Sequence, residues 1–112
     1  MIATTMFLIA LAIVESGCDD SATGARGEVG RYQISQAYLD DANEFNGTGY
    51  TLDEMRDPVK ATKVVMAYIR RYAEARPWHD VARIHNGGPR GAELESTMAF
   101  ADRVTMQMEP QD

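Results

Sequence analysis

Residues 3–17 of the chain are ATTMFLIALAIVESG, an apolar stretch that ends in a carboxyl group, a hydroxyl group and a glycine. Apolar side chains occupy nearly every face of a 3.6-residue period, which predicts a helix over residues 3–15 that is buried on all sides. Gly17 is well placed to end it, because glycine accepts the left-handed conformation common after helices. We therefore expect a core helix around which the other elements pack.

An export signal is the alternative interpretation of the same stretch. Residues 10–12 are Ala-Leu-Ala, as before a signal-peptidase site, and residues 16–18 are Ser-Gly-Cys, as at a lipoprotein site. However, no Lys or Arg precedes the apolar run, and Glu15 stands where a lipoprotein site has an aliphatic residue. The run is also too short to span a bilayer. We favour the core helix and expect no signal peptide and no stable membrane insertion; a lipid-anchored envelope protein remains the alternative.

A glycine-rich segment follows the first helix. Residues 17–34 contain four glycines among Asp, Ser and Thr, which is typical of a loop. Val29, Tyr32 and Ile34 favour a short hairpin or extended pieces within it. This is the one stretch of the chain in which we expect strand.

The rest of the chain predicts four more helices. Ser35 can cap a helix over roughly 36–45, and Asp57-Pro58 marks the start of another, which Pro77 stops. A short fourth helix begins near Trp78, and Ser96 can cap the last. The predicted fold is therefore mainly α, in the α+β sense: about five helices around a core helix, with one short glycine-rich β-hairpin or loop.

Length, composition and charge restrict the class of protein. The 112 residues, 45% of them hydrophobic and 25% charged, suit a single globular domain over 1–112. The net charge of −6 argues against nucleic-acid binding, although basic residues concentrate over 60–90. One cysteine excludes an internal disulfide, and with only two histidines no zinc-ligand spacing is present. We expect a monomer without metal or cofactor.

Glu15 is the first candidate for chemistry. It closes an apolar helix and opens a polar loop, where partial loss of water favours the protonated form of a carboxyl group. A general acid needs a proton to donate. The alternative is an ordinary glutamate at the exposed end of a helix.

Two further motifs could contact a ligand. In Gly30-Arg31-Tyr32-Gln33-Ile34, tyrosine offers a flat face for a sugar ring and glutamine offers both a donor and an acceptor. Residues 82–89 are ARIHNGGP, in which His85 and Asn86 precede two glycines. Taken singly, the first motif is more simply a turn, and the second a helix end with a core histidine.

The three motifs occur in a fixed order, with Ala-Tyr-Ile-Arg-Arg-Tyr at 67–72 between the last two. In this order the chain resembles the lysozyme superfamily over about 8–104. It is most similar to invertebrate-type (i-type) lysozymes and their bacterial and phage relatives, and more loosely to soluble lytic transglycosylases and goose-type lysozymes. The resemblance implies an enzyme that cuts the β-1,4 bond between N-acetylmuramic acid and N-acetylglucosamine in peptidoglycan, at the bacterial cell wall.

The resemblance also implies roles for particular residues. Glu15 matches the catalytic acid of the Glu-Ser motif. The residues that it assigns to substrate binding are Tyr32, Gln33, Ser35, Tyr38, Tyr68, His85, Asn86 and Gly87.

One departure concerns the second catalytic carboxylate. I-type enzymes carry an aspartate shortly before the glycine turn, whereas residues 23–26 here are Thr-Gly-Ala-Arg. We rank Asp20 first as a substitute, then Asp19, then Glu28. A retaining or inverting glycosidase needs a second carboxylate, whereas the likeness to transglycosylases implies a reaction with Glu15 alone. A lytic transglycosylase and an inactive peptidoglycan-binding module are therefore the alternatives.

Overall fold

The computed structural model describes residues 2–110. Within that range the chain forms five α-helices joined by loops and short 3₁₀ turns. The helices are α1 (Ile2–Ser16), α2 (Gln36–Asn46), α3 (Pro58–Tyr72), α4 (Trp78–Gly87) and α5 (Met98–Met108). The 3₁₀ turns are Asp53–Arg56, Gly91–Glu93 and Glu95–Thr97. The prediction of a mainly helical, five-helix fold is confirmed.

Helix α1 is buried on one face only, which corrects the prediction that it is enclosed on all sides. Its inner face packs on α5, and the ring of Phe7 stacks on Trp78 with 4.7 Å between the ring centroids. Among the described helices, α5 is the one that packs extensively on α1, so the opposite face of α1 is left uncovered. Four large apolar side chains of α1 are exposed: Ile2, Met6, Ile9 and Ile13. No helix within residues 2–110 has the length and apolar character needed to cross a bilayer.

The glycine-rich segment between α1 and α2 forms two isolated β-bridges, which is less regular than a hairpin. Val29 bridges to Thr23 and to Ile34, and its pairing with Ile34 has two backbone hydrogen bonds of 3.0 Å. Glycine is required at position 30, because φ is +82° and a Cβ atom there would overlap the carbonyl of Met55. The loop therefore packs directly on the turn that precedes α3.

Side-chain caps fix the starts of α2 and α3. The Ser35 hydroxyl accepts from the backbone N–H of Tyr38 at the start of α2, and Asp57 caps α3 by accepting from Val59 and Lys60. Ser96 provides no such cap for α5: it lies inside a 3₁₀ turn, and the helix begins after Thr97 without a side-chain cap. The prediction for Ser96 is therefore wrong.

Candidate active site

Three elements that are distant in sequence meet at one point. The end of α1 contributes Glu15, the first turn of α2 contributes Tyr38, and α4 contributes His85. Nε2 of His85 lies 3.0 Å from Oε2 of Glu15, and its Nδ1 lies 2.8 Å from the hydroxyl oxygen of Tyr38. Two of the three motifs therefore converge on a shared hydrogen-bonded chain.

The imidazole of His85 is almost fully enclosed, with its side chain 2% exposed. Besides Glu15 it faces the carbonyl oxygen of Tyr32, 3.3 Å from Nε2. The ring of Tyr38 meets His85 edge-on and stacks on Tyr68 with centroids 3.7 Å apart. Both imidazole nitrogens thus have partners, as buried polar groups require.

Burial raises the pKa of Tyr38 well above its ordinary value, with smaller contributions from Tyr68 and Glu15. The phenol of Tyr38 is therefore neutral at physiological pH and keeps a proton to donate.

Glu15 opens into a groove rather than into bulk solvent or the core. Its side chain is 17% exposed, so the carboxyl group is largely shielded and still reachable. The first part of the groove is lined by Glu15, Arg26, Glu28, Gln33, Ser35, Tyr38, His85 and Asn86. A second part shares the last four of these and adds Ala37, Asp41, Tyr68, Gly88 and Pro89. Because the two parts share residues, they form one elongated depression that suits a chain-like substrate.

The loop beside the groove is tied to α1 by Ser16, the serine of the Glu-Ser motif. Its hydroxyl donates to the carbonyl oxygen of Arg31 at 2.8 Å and accepts from the backbone N–H of Asp19. Gln33 adopts a positive φ of +52°, and its Nε2 donates to the Gly30 carbonyl. A left-handed conformation costs a non-glycine residue about 1–2 kcal/mol. The other interactions of the folded loop must offset this strain at Gln33, which lines the groove.

The three candidates for a second carboxylate differ in whether they line the groove, and this does not follow the ranking made from the sequence. Asp20, ranked first, forms a two-point ion pair with Arg31 and does not line the groove. The Asp19 carboxylate accepts hydrogen bonds from the hydroxyl and the backbone N–H of Ser21, and these bonds lower the pKa of Asp19. Glu28, ranked last, is the one that lines the groove with Glu15.

Two predicted substrate-binding residues, Tyr32 and Gly87, do not line the groove. The ring of Tyr32 is buried, 3% exposed, and its hydroxyl bonds to Thr62 at 2.9 Å. Gly87 lies against Thr97, with no room for a side chain, and is not part of the groove lining. The turn points the Tyr32 ring inward, and α4 lies in close contact with the segment before α5 at Gly87. Neither position offers a side chain to the groove, and a role of either residue in substrate binding stays a prediction.

The sequence did not single out Arg26 or Asp41 as groove residues. Nothing in the composition around Arg26 marked it, because an arginine in a polar loop is most often solvated. Asp41 follows Tyr38 by three residues on α2, and residues three apart lie on the same face of a helix. Its position beside the groove could have been predicted only from this spacing, once Tyr38 was known to line the groove.

The helical fold and the enclosed carboxyl–imidazole pair in an open groove define a lysozyme-like protein. Comparison with known proteins agrees: the family described as Transglycosylase SLT domain matches residues 3–93. The chain belongs to this SLT domain family of the lysozyme-like superfamily and is homologous to the i-type lysozymes of bivalves. It is accordingly a lysozyme-like glycosidase or lytic transglycosylase, and the resemblance drawn from the three motifs is confirmed.

Curated relatives and solved structures support this placement. A lysozyme of Magallana gigas is 34% identical over 103 residues, covering 84% of this chain and 72% of the relative. Lysozyme 1 of Crassostrea virginica is 33% identical, with 84% and 54% covered. Among solved structures, lysozyme of Meretrix lusoria in complex with PliI of Aeromonas hydrophila matches with a TM-score of 0.77. A second inhibitor-bound structure of this lysozyme gives 0.76; both are 29% identical and cover 90% of this chain and 87% of theirs.

Proposed function

We propose that this protein cleaves the β-1,4 bond between N-acetylmuramic acid and N-acetylglucosamine of peptidoglycan, with Glu15 as the general acid. One observation carries the proposal: a carboxyl group that is 17% exposed lines the groove and is held through one oxygen by a buried histidine. A general acid must be fixed in place and partly shielded from water, yet within reach of the glycosidic oxygen. Glu15 meets these requirements.

The remaining groove residues suit a polymer of N-acetylated sugars. Gln33, Ser35 and Asn86 offer hydrogen-bond donors and acceptors for hydroxyl and acetamido groups. Glu28 is the candidate for the second carboxylate, either as a nucleophile or as the base that activates water. Hydrolysis would then proceed by protonation of the leaving oxygen by Glu15 as the bond from that oxygen to the anomeric carbon breaks. The anomeric carbon is attacked either by the Glu28 carboxylate, with water then cleaving the glycosyl–enzyme bond, or directly by a water that Glu28 deprotonates.

A lytic transglycosylase reaction is the second candidate, favoured by the match to the SLT family. In that reaction the 6-hydroxyl of the muramic acid residue attacks its own anomeric carbon, and Glu15 acts first as acid and then as base. Mass spectrometry of the products separates the two reactions, because an anhydro end is one water lighter than a hydrolysed reducing end.

Clearing of a peptidoglycan suspension by wild type, Glu15→Gln and Glu95→Gln tests the role of Glu15. Glu95 is an exposed glutamate outside the groove lining, so its variant makes the same charge change without touching the site. We expect Glu15→Gln to lose about 10²- to 10⁴-fold in rate and Glu95→Gln to match wild type. Equal clearing by all three proteins would remove Glu15 from the mechanism, and binding without fragment release by wild type would indicate an inactive peptidoglycan-binding module.

We further propose that residues 1–112 act as one domain and as a monomer on the bacterial cell wall. The compact set of five helices sharing one buried core supports a single domain. Size-exclusion chromatography coupled to light scattering tests the monomer, and a dimer mass would contradict it.

A further inference from the structure

The hydrogen-bonded chain Tyr38–His85–Glu15 has a defined direction. Nε2 of His85 faces two oxygens, Oε2 of Glu15 at 3.0 Å and the Tyr32 carbonyl at 3.3 Å. A carbonyl oxygen only accepts hydrogen bonds. If Nε2 lacked a hydrogen, its lone pair would face the lone pairs of that carbonyl, at an imidazole whose side chain is only 2% exposed to solvent. This geometry favours a hydrogen on Nε2, shared between the two oxygens as a hydrogen-bond donor.

The other nitrogen of the ring completes the assignment. In the neutral imidazole one nitrogen donates and the other accepts, so Nδ1 of His85 accepts from Tyr38 at 2.8 Å. Burial keeps the Tyr38 phenol neutral, so its proton is available to donate. The stacked ring of Tyr68 fixes the plane of Tyr38 and with it the direction of the hydroxyl.

We propose that Tyr38 is a positioning residue: its hydroxyl holds His85 in the Nε2–H tautomer, so that His85 donates to Oε2 of Glu15 and leaves the acidic proton of Glu15 on Oε1. The proposal rests on the role of Glu15 as the acid. A neutral carboxyl group has its proton on one oxygen, and an oxygen that accepts from His85 is poorly suited to hold it. After the proton has passed to the leaving oxygen, the carboxylate keeps the same bond to His85 and has no need to move.

This role differs from substrate binding, which the resemblance implied for Tyr38 and His85. Tyr38 is buried, and its hydroxyl is engaged with the imidazole. A sugar-binding hydroxyl would raise KM when removed, whereas a positioning hydroxyl acts on kcat.

Nitrogen NMR of ¹⁵N-labelled protein without substrate tests the tautomer directly, because protonated and unprotonated imidazole nitrogens differ strongly in chemical shift. We expect His85 of the wild type to show a protonated Nε2 and a bare Nδ1, with a His79→Gln variant used to assign the signals. Tyr38→Phe should weaken this preference, because only the contacts of Nε2 with Glu15 and the Tyr32 carbonyl then remain to favour it. The control Tyr50→Phe, outside the groove, should leave it unchanged. A protonated Nδ1 in wild type, or an unchanged tautomer preference in Tyr38→Phe, would overturn the proposal.

A double-mutant cycle shows whether Tyr38 acts through His85. We expect Tyr38→Phe to lower kcat by about 10- to 100-fold, as removal of a group that orients a histidine ligand does at metal sites, with little change in KM. In a His85→Phe background, which keeps a ring and removes both nitrogens, the same substitution should change kcat less than about twofold. Additive losses, a rise in KM alone, or an unaltered kcat would each contradict a positioning role.

The two proposals fail in different ways. Full activity of Glu15→Gln would refute the catalytic role of Glu15 while leaving the tautomer measurement intact. A wild-type histidine in the other tautomer would refute the positioning role and leave Glu15 as the acid. Thermal unfolding of each variant, followed by circular dichroism, establishes that the compared proteins are folded.

Discussion

Gly30 lies in the glycine-rich loop with a φ of +82°, directly against the backbone of Met55. We predict that Gly30→Ala destabilises the protein by about 2–5 kcal/mol. Of this, about 1–2 kcal/mol is left-handed strain and about 1–3 kcal/mol is forced displacement of the Met55 carbonyl. Urea unfolding measured at pH 7 by circular dichroism checks the change in free energy.

Gly27 is the matched control for this substitution. Its φ is +85°, nearly the same, but a Cβ atom there would meet nothing within 4 Å. Gly27→Ala should therefore be destabilised only by the left-handed strain, about 1–2 kcal/mol. If the two variants were equally stable, close packing of the loop on the turn before α3 would not contribute to stability.

Ionisation of Tyr68 should make the stability of the folded protein fall at alkaline pH. Burial first, and then the charge of Asp41, raise the pKa of Tyr68 from 10.0 to about 12. Because the folded state favours the neutral phenol, its contribution to stability is complete below pH 10 and is lost as the pH rises through 12. We predict that the urea midpoint falls between pH 10 and 12, and falls less in Tyr68→Phe. An identical pH dependence in both proteins would contradict the assignment.

Part of the candidate site could be predicted from the order of short motifs. Glu15 and His85 were singled out because their motifs occur in an order that resembles the lysozyme superfamily, whereas each motif taken singly has an ordinary structural interpretation. The burial of Tyr32 was not predicted, since a turn residue can point to either side and its partner, Thr62, lies on a distant helix. Asp20 was ranked above Glu28 for a similar reason, because its pairing with Arg31 exists only once the loop has folded.

Among the helices, α3 depends on its cap for a well-defined start. The Asp57 carboxylate accepts hydrogen bonds from Val59 and Lys60. Asp57→Ala should cost about 1 kcal/mol, the usual loss for an N-cap. Since α3 carries Tyr68, we also expect weaker stacking on Tyr38. Ser96 was the predicted cap of α5, but the structure shows no such cap. Ser96→Ala should therefore change the free energy of unfolding by less than about 0.5 kcal/mol. Urea midpoints of both variants measure the difference, and a larger loss from Ser96→Ala would contradict the observed start of α5.

The helix boundaries show which parts of the fold are encoded locally. The start of α2 at Gln36 and that of α3 at Pro58 agree with the prediction, because a capping side chain and a proline act within one turn. The end of α3 at Tyr72 precedes Pro77, since the chain already turns through Ala75 with a φ of +61°. The exposed face of α1 could not be predicted from its own residues, because exposure depends on how many helices are available to cover it.

At the scale of the whole molecule, the net negative charge affects how fast the protein associates with an anionic cell wall. The net charge is −6, and the basic segment over 60–90 offsets it only in part. Three of its cations are paired in the structure: Lys60 with Glu54, Arg71 with Glu44 and Arg90 with Glu93. Long-range electrostatics therefore oppose the encounter between protein and substrate.

We predict that clearing of intact peptidoglycan becomes faster as salt rises from about 10 mM to 150 mM. Over this range the Debye length falls from about 30 Å to about 8 Å, so the repulsion between two negative bodies is screened before they touch. Cleavage of a short soluble oligosaccharide of N-acetylmuramic acid and N-acetylglucosamine, with its lactyl carboxylates amidated, should stay nearly constant, because no repulsion exists to be removed. Initial rates on both substrates at five salt concentrations measure the effect. Clearing that slows with salt would show that local attraction by unpaired cations, such as Arg26 in the groove, outweighs the net charge.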